Sequence, residues 1–458
     1  MYPNKEGYPI IPLGIAVLSG ILKKNGHQVK LFDITFKVKE KVDHEARKKT
    51  GMVKEVDMKK YWEEREDATS INIEKEFKEE IFSFNPDLIA FSVVETNYDC
   101  AKQFFKYVKD VSNIPVIVGG LFPTIVPDFF VKDENVDIIC VGEGEYALLE
   151  LANRLDNKNN IFNIPNLIIK KNGSVHTENK LHKYYNWEPF FMPDWEVFDE
   201  RHIVKPFIGK AWRTGFFEFS RGCPFNCSYC INHICKNIFK ELGNYNRKKP
   251  LSYLLEEMEF FKNKYKLELN FFNDENFLTI DTKRLRKFCS DYDRRIHLPF
   301  FIMTRADSLI LEDRVKILKD SGCITIGIGV ESGNENVRKK ILNKNISNKV
   351  YKKAFDLCNK YEIRTTANVM IGLPDETENN IIDTFNFCKE IKSDSISLSI
   401  FAPYYGTPLR DICVKKGYME DKYYSNISVH YSTILEMPNL SKEKIEYFYN
   451  NFNSMENI

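Results

Sequence analysis

The chain has 458 residues, 66 basic and 65 acidic, for a formal net charge of +1. That balance gives no bulk electrostatic case for a nucleic-acid partner, and no apolar run of about 18 residues suggests a membrane span. The length suits two or three domains, and eleven irregularly spaced cysteines do not read as a disulfide framework, so a reducing cytoplasm is expected.

Residues 1–155 alternate helical and extended patterns. Residues 15–24 are apolar at helical spacing and stop at Asn25-Gly26. Residues 28–33 alternate and are expected as a strand. The charged stretch 37–70 reads as a surface excursion and 72–84 as a helix. A strand at 87–92, a helix over 97–110 and a strand at 115–120 follow. A short helix near 127–132, a strand at 136–141 and a helix over 145–155 complete the region. Continuous apolar strands alternating with helices imply a doubly wound, flavodoxin-like parallel sheet. Ligands of such sheets bind beyond the carboxyl ends of the strands. Gly142-Glu-Gly144-Glu-Tyr-Ala147 fits G-x-G-x-x-A. It follows the last strand of the unit and not the first, so dinucleotide binding is not expected. Met1-Tyr2-Pro3 reads as the end of a first strand, and further residues are expected upstream. Such a strand is interior, and its absence would leave neighbouring backbone groups unpaired.

Residues 156–207 are expected as a linker, with a small hairpin turning at Asn172-Gly173. An aromatic patch of Trp187, Phe190, Phe191, Pro193 and Trp195 is expected to pack between domains. Strand and helix then repeat. Strands are expected at 214–220, 267–273, 299–304, 324–330, 364–371 and 395–401, with helices between them, as where Leu254, Leu255, Met258 and Phe261 share a face. The fold class is therefore α/β throughout. Six units make a partial (β/α)6 barrel over 208–401, with functional residues at the carboxyl ends of its strands. Residues 402–458 form a small C-terminal extension with a helix near 441–453.

Just after the first barrel strand stands Arg221-Gly-Cys223-Pro-Phe-Asn-Cys227-Ser-Tyr-Cys230. Zinc prefers four protein ligands in a closed tetrahedral site. Iron–sulfur clusters are held by cysteine thiolates, normally four of them. Three thiols in one short loop leave one iron of a cubane without a protein ligand, open to a cofactor or substrate. Cys235 lies outside this spacing. On the cysteines alone, a zinc loop and a chance group of reduced thiols both stay open.

C-x3-C-x-aromatic-C after a strand resembles the signature of radical S-adenosylmethionine (SAM) enzymes. The resemblance implies a 4Fe–4S cluster on Cys223, Cys227 and Cys230, its remaining iron chelated by SAM. Motifs at later strand ends resemble the same family. Phe272-Asn-Asp274-Glu275 resembles its acidic turn and puts Asp274 and Glu275 at the methionyl ammonium. Thr304-Arg305-Ala-Asp307 offers a guanidinium to the methionyl carboxylate, a structural ion pair being the alternative. Gly329-Val-Glu331-Ser332-Gly333 resembles a ribose-contacting turn. Met370-Ile-Gly372-Leu-Pro374 resembles the adenine-side loop, and Tyr229 is placed to stack on adenine.

In the N-terminal region, Ile11-Pro-Leu-Gly-Ile-Ala16, Gly26-His-Gln-Val, Gly119-Gly-Leu-Phe-Pro-Thr124 and Gly142-Glu-Gly-Glu145 resemble the cobalamin-binding domain fused to many radical SAM enzymes. The likeness covers residues 1–155. It implies cobalamin contacts at Ser92, Gly119, Gly120, Thr124, Gly142 and Gly144. The D-x-H-x-x-G motif, whose histidine ligates cobalt, does not occur here. Cobalamin without a histidine lower ligand is expected.

The resemblance as a whole implies a cobalamin-dependent radical SAM enzyme of the class B methyltransferase-like kind. Such an enzyme cleaves SAM reductively to a 5′-deoxyadenosyl radical and transfers a methyl group from methylcobalamin to an unactivated carbon of a small molecule. A flavodoxin or ferredoxin-type electron donor is expected, and neither nucleic acid nor membrane is an expected partner. A non-methylating cyclase or oxidative enzyme, a radical enzyme whose N-terminal fold has lost cobalamin, and a non-catalytic cobalamin sensor are the rivals.

Overall fold

The structure is a computed structural model, and it describes residues 1–5, 9–37, 56–58, 61, 72–171, 173–425, 429–430 and 432–452. The chain divides into two units, the first holding Met1–Val42 and Asp57–Val204, the second Lys205–Lys240 and Asn244–Ile458. Most of the expected excursion at 37–70 lies outside the described residues.

The first unit is built on a five-stranded sheet in the order β1-β2-β3-β4-β5. Strands β1 (Ile89–Ser92), β2 (Val116–Gly119) and β3 (Ile138–Cys140) run parallel. Their side chains are buried on both faces, as the continuous apolar runs demand: Val116, Ile117, Val118, Ile138 and Ile139 are all inside. Helices Tyr98–Val111 and Glu145–Asp156 form where expected. Helix Leu13–Lys24 ends at Asn25, whose side-chain amide donates back to the Ile21 carbonyl at 2.8 Å.

Two expectations need correction. Residues 28–33 are not a strand. A single parallel bridge joins Tyr2 to Asp33, made by Tyr2 N–H to Phe32 O and Ile34 N–H to Tyr2 O. One bridge is too little pairing to sustain a ladder, so the alternating side chains lack the partner their pattern calls for. The hairpin at 167–178 also does more than link. Its strands β4 (Leu167–Lys171) and β5 (Ser174–Glu178) extend the sheet antiparallel to β3, pairing Ile138 with Ile169 and Cys140 with Leu167. Apolar β4 thereby completes a core of Ile117, Ile138, Leu148, Leu151, Ile164, Leu167 and Ile169. In the aromatic stretch, Trp187 and Trp195 are buried. Its segment 192–194 lies on helix Leu13–Lys24, where Asp194 N–H donates to Ala16 O and Ser19 Oγ donates to Asp194.

The second unit carries a seven-stranded sheet. β6 is Val204–Phe207 and β7 is Lys210–Phe217. A two-stranded ribbon follows, β8 (Ser220–Arg221) against β9 (Arg247–Lys248). Then come β10 (Leu269–Phe272), β11 (Phe300–Thr304), β12 (Cys323–Glu331), β13 (Arg364–Ile371) and β14 (Ser395–Ile400). The order is β14-β13-β12-β11-β10-β7-β6. Pairings from β7 through β14 are all parallel, so all six expected barrel strands are present. β6 was not foreseen; the two-residue turn Ile208-Gly209, both at positive φ, returns it to β7.

Three of the crossover helices start where a short polar side chain takes an orphan amide. Asp281, Ser347 and Thr377 accept from Arg284, Val350 and Asn380 N–H respectively. Along β13, Thr365, Ala367, Val369 and Ile371 are buried, while their alternates Thr366, Asn368 and Met370 remain partly exposed. The C-terminal helix Lys442–Asn451 is capped by Ser441 and buries Ile445, Phe448 and Tyr449.

Candidate active site at the cysteine loop

β7 delivers the chain to Glu218 and the ribbon, and the cysteine loop begins directly after β8. Gly222 makes this turn at φ +83°, and a Cβ there would sit 2.3 Å from the Tyr245 carbonyl oxygen. Only glycine lets the two backbones approach so closely. The loop is then pinned along its length. Ser228 Oγ donates to Ile341 O at 2.5 Å, its N–H donates to Leu342 O, and its own carbonyl accepts from Leu409 N–H. Asn343 donates to Asn226 O at 2.8 Å.

Of the eleven cysteines, Cys223, Cys227 and Cys230 are partly exposed and the other eight are buried. Buried thiols behave as small hydrophobes; these three are the ones free to act as ligands. Burial still pushes the Cys223 thiol up, to about 11, and raises Cys230 as well. An electropositive metal reverses that preference by binding the thiolate. Among the described residues no three His, Cys, Asp or Glu side chains converge on one metal-ion position. The donor set of three partly exposed thiols in one loop suits a cubane, whose thiolates bind separate irons and leave one iron open. Cys235, which sits 2% exposed on helix Ile231–Ile238, faces the core.

The two carboxylates of the acidic turn part company. Asp274 is wholly buried and accepts from Phe219 N–H at 3.1 Å and from the Ser220 hydroxyl. Burial raises it to about 7. Asp274 therefore braces the end of β7. Glu275 is exposed to solvent, yet the protein wall around it raises its carboxyl, opposed by backbone N–H groups including that of Gly222. Arg305 forks onto Asp307, Nε to Oδ1 at 3.2 Å and Nη2 to Oδ2 at 2.8 Å. Its expected hold on a carboxylate is thus already occupied.

Glu331 takes positive φ, +66°, and accepts from Lys344 Nζ at 2.8 Å. Tyr229 lies against the same carboxylate, and its hydroxyl is raised far above its ordinary range, first by burial and then by the Glu331 charge. Ser332 faces inward, wholly buried, with its hydroxyl 3.2 Å from that of Thr384. Gly372 has φ +78°, and its N–H and that of Leu373 donate to Glu376 Oε2 at 2.7 and 3.1 Å. Pro374 is buried beside them. Ile445 of the C-terminal helix lies over this turn, 3.2 Å from where a Gly372 Cβ would be.

Two lysines escaped the sequence reading. Lys344, wholly inside, holds both Gly329 O (2.6 Å) and Glu331. Lys248, on the ribbon beside the loop, is bonded to Asn246 and Thr279 and pushed down to about 8, mainly by burial. The motif Gly329-x-Glu331 and the run Leu342-Asn-Lys344 are the only sequence signals for the first; nothing in sequence marks the second.

In the first unit, the named residues gather at the carboxyl ends of β1, β2 and β3. Ser92 pairs with Gly119. A Cβ on Gly120 would stand 2.7 Å from Val93 O. Thr124 Oγ1 donates to Gly120 O at 2.7 Å and accepts from Gly142 N–H at 2.9 Å, tying two strand-end turns together. Gly119, Gly142 and Gly144 are partly exposed, and Gly120 is exposed. This bare backbone rim suits a large flat ligand, while Thr124, buried, braces it. The residues present fit both implied cofactors.

Comparison with known proteins agrees in chain order. Residues 64–152 match the B12 binding domain, and residues 217–388 match the Radical SAM superfamily. A protein of Pyrococcus horikoshii described as an uncharacterised methyltransferase is 24% identical over 410 residues, covering 88% of this chain and 78% of its own. The anaerobic magnesium-protoporphyrin IX monomethyl ester cyclase of Rubrivivax gelatinosus is 23% identical over 354 residues, covering 75% and 61%. In fold, the chain resembles the radical SAM methyltransferase TsrM from Kitasatospora setae, solved with tryptophan substrate and a SAM analogue. The TM-score is 0.67 at 16% identity, over 98% of this chain and 82% of that one.

A half-barrel with three cysteines in the loop after its first strand, preceded by a B12-type sheet, defines a radical SAM enzyme. More narrowly, the chain belongs to the cobalamin-binding radical SAM family, whose domains imply a 4Fe–4S cluster, SAM and cobalamin. Among the described residues, no helix is long and apolar enough to cross a membrane.

Proposed function

We propose that the chain is a C-methyltransferase that acts on an unactivated carbon of a small molecule. The observation that carries this reading is the exposure of Cys223, Cys227 and Cys230 while every other cysteine is buried. In this reading those three thiolates hold the cluster, and residues 208–401 form the catalytic barrel. Residues 1–155 form the cobalamin domain, whose sheet the hairpin at 167–178 extends, and residues 402–458 form the C-terminal extension. When bound, the cluster and SAM supply the radical chemistry and cobalamin supplies the methyl group.

The chain's own residues orient and enclose these groups. Glu275 offers its carboxylate to the methionyl ammonium, and Asp274 ties that turn to the chain leaving β7 through Phe219 and Ser220. Glu331, fixed by Lys344, and Tyr229 bound the ribose and adenine side. Ser332 acts indirectly, by fixing its turn against Thr384. Gly372, Leu373 and Pro374 present a backbone edge and apolar atoms to the base. Ser92, Gly119, Gly120, Gly142 and Gly144 offer the cobalamin rim, and Thr124 keeps it in shape. A flavodoxin or ferredoxin-type donor in the cytoplasm supplies the electron. The cyclase relatives favour a second reading, in which the same radical start closes a ring without methylation.

Anaerobic incubation with methyl-labelled SAM separates the two once a substrate is found. Label in the product supports methylation. Deoxyadenosine without label in the product supports the cyclase-like reading.

A further inference from the structure

Arg305 stands where a cation can act on the cluster loop itself. Its guanidinium carbon lies 3.6 Å above the centre of the Phe225 ring, inside the cysteine motif. Nη1 approaches Cys227 Sγ at 4.0 Å. The opposite edge forks onto Asp307, and the side chain is only 13% exposed. The group is thus clamped on three sides: ring below, carboxylate behind, sulfur in front. Its fork is spent on Asp307, so the free N–H edge points at the sulfur.

We propose that Arg305 sets the reduction potential of the cluster, with Asp307 as the opposing charge. This rests on the reading that Cys223, Cys227 and Cys230 hold a 4Fe–4S cluster. Reduction by one electron from the external donor adds negative charge to the cluster. A cation and an N–H donor beside a ligating sulfur stabilise that reduced state, and net charge and hydrogen bonds to sulfur are what tune such potentials. Arg305 itself is largely covered, so its charge is screened less than that of a surface cation. Asp307 works in the other direction, and the Phe225 stack fixes which of the two charges stands nearer the sulfur.

The experiment is an anaerobic redox titration, followed by electron paramagnetic resonance, of reconstituted full-length protein without SAM. Leaving SAM out separates cluster tuning from any role in holding the methionyl carboxylate. Arg305→Gln is expected to lower the ratio of reduced to oxidised clusters about tenfold at the wild-type midpoint, a shift of ~59 mV to lower potential. Asp307→Asn is expected to move the potential upward, and Arg305→Lys to fall between wild type and Arg305→Gln. A merely structural ion pair would move Arg305→Gln and Asp307→Asn in the same direction or not at all, and either result overturns the proposal. If Arg305→Gln loads no iron, the upward shift of Asp307→Asn carries the test, and its absence overturns it. Wild-type protein that holds no four-iron cluster would sink the reading of the cysteines instead.

Discussion

Glu376 is wholly buried, accepts two backbone N–H groups on Oε2, and among the described residues has no hydrogen-bond partner on Oε1. Burial raises its carboxyl to about 8, from an ordinary 4.5. The folded state therefore holds this proton more tightly than the unfolded chain does. Its contribution to stability is greatest below pH about 4.5 and is lost as pH rises toward about 8. Glu376→Gln keeps the acceptor for Gly372 and Leu373 but cannot ionise. Thermal denaturation across that range should show a flatter dependence of Tm on pH in the variant; an unchanged slope would refute the assignment. Gly222 gives a second test. Gly222→Ala places a side chain at positive φ and against Tyr245 O, at a cost on the order of 1–3 kcal/mol for the backbone strain alone. The expected result is lower iron retention after anaerobic reconstitution, with circular dichroism unchanged. Full iron retention would show that the turn relaxes freely.

At the level of elements, the turn after β12 and the stretch 341–344 form one support for the cysteine loop. Lys344 ties Glu331 and Gly329 O, while Ile341 and Leu342 carbonyls hold Ser228. Lys344→Met strands the Glu331 carboxylate, and breaking a buried ion pair from one side costs ~3–5 kcal/mol. Urea denaturation should show a loss of this size, partly recovered by the double change with Glu331→Gln. No recovery would mean that Lys344 acts by packing alone.

Elements with a strong period were legible in the sequence: all six barrel strands, helix Leu13–Lys24 and helix Lys442–Asn451. Those whose existence depends on a neighbour were not. Residues 28–33 carry a strand pattern but have one bridging partner, Tyr2. β6 forms because a two-residue turn returns it to β7, which composition does not reveal. The same division holds within the site. The cysteine spacing showed the loop, whereas side-chain direction inside a motif depends on packing. Asp274 and Ser332 read like Glu275 and Glu331, yet they turn inward to Phe219 and Thr384. Lys344 and Lys248 reach the site from segments with no pattern of their own.

For the molecule as a whole, the two domains carry different claims. The sheet-end glycines of the first unit predict that cobalamin binds the protein with or without an intact cluster. Gly120→Val, which would drive a side chain toward Val93 O, should lower bound cobalamin in the absorbance spectrum and leave iron content unchanged. Loss of both would mean that the change unfolds more than the rim. Protein reconstituted anaerobically is mixed with SAM and a strong reductant, and 5′-deoxyadenosine is counted. The account predicts its formation by wild type and its absence in Cys227→Ala. Wild-type protein that carries four irons per chain and still releases none would contradict it.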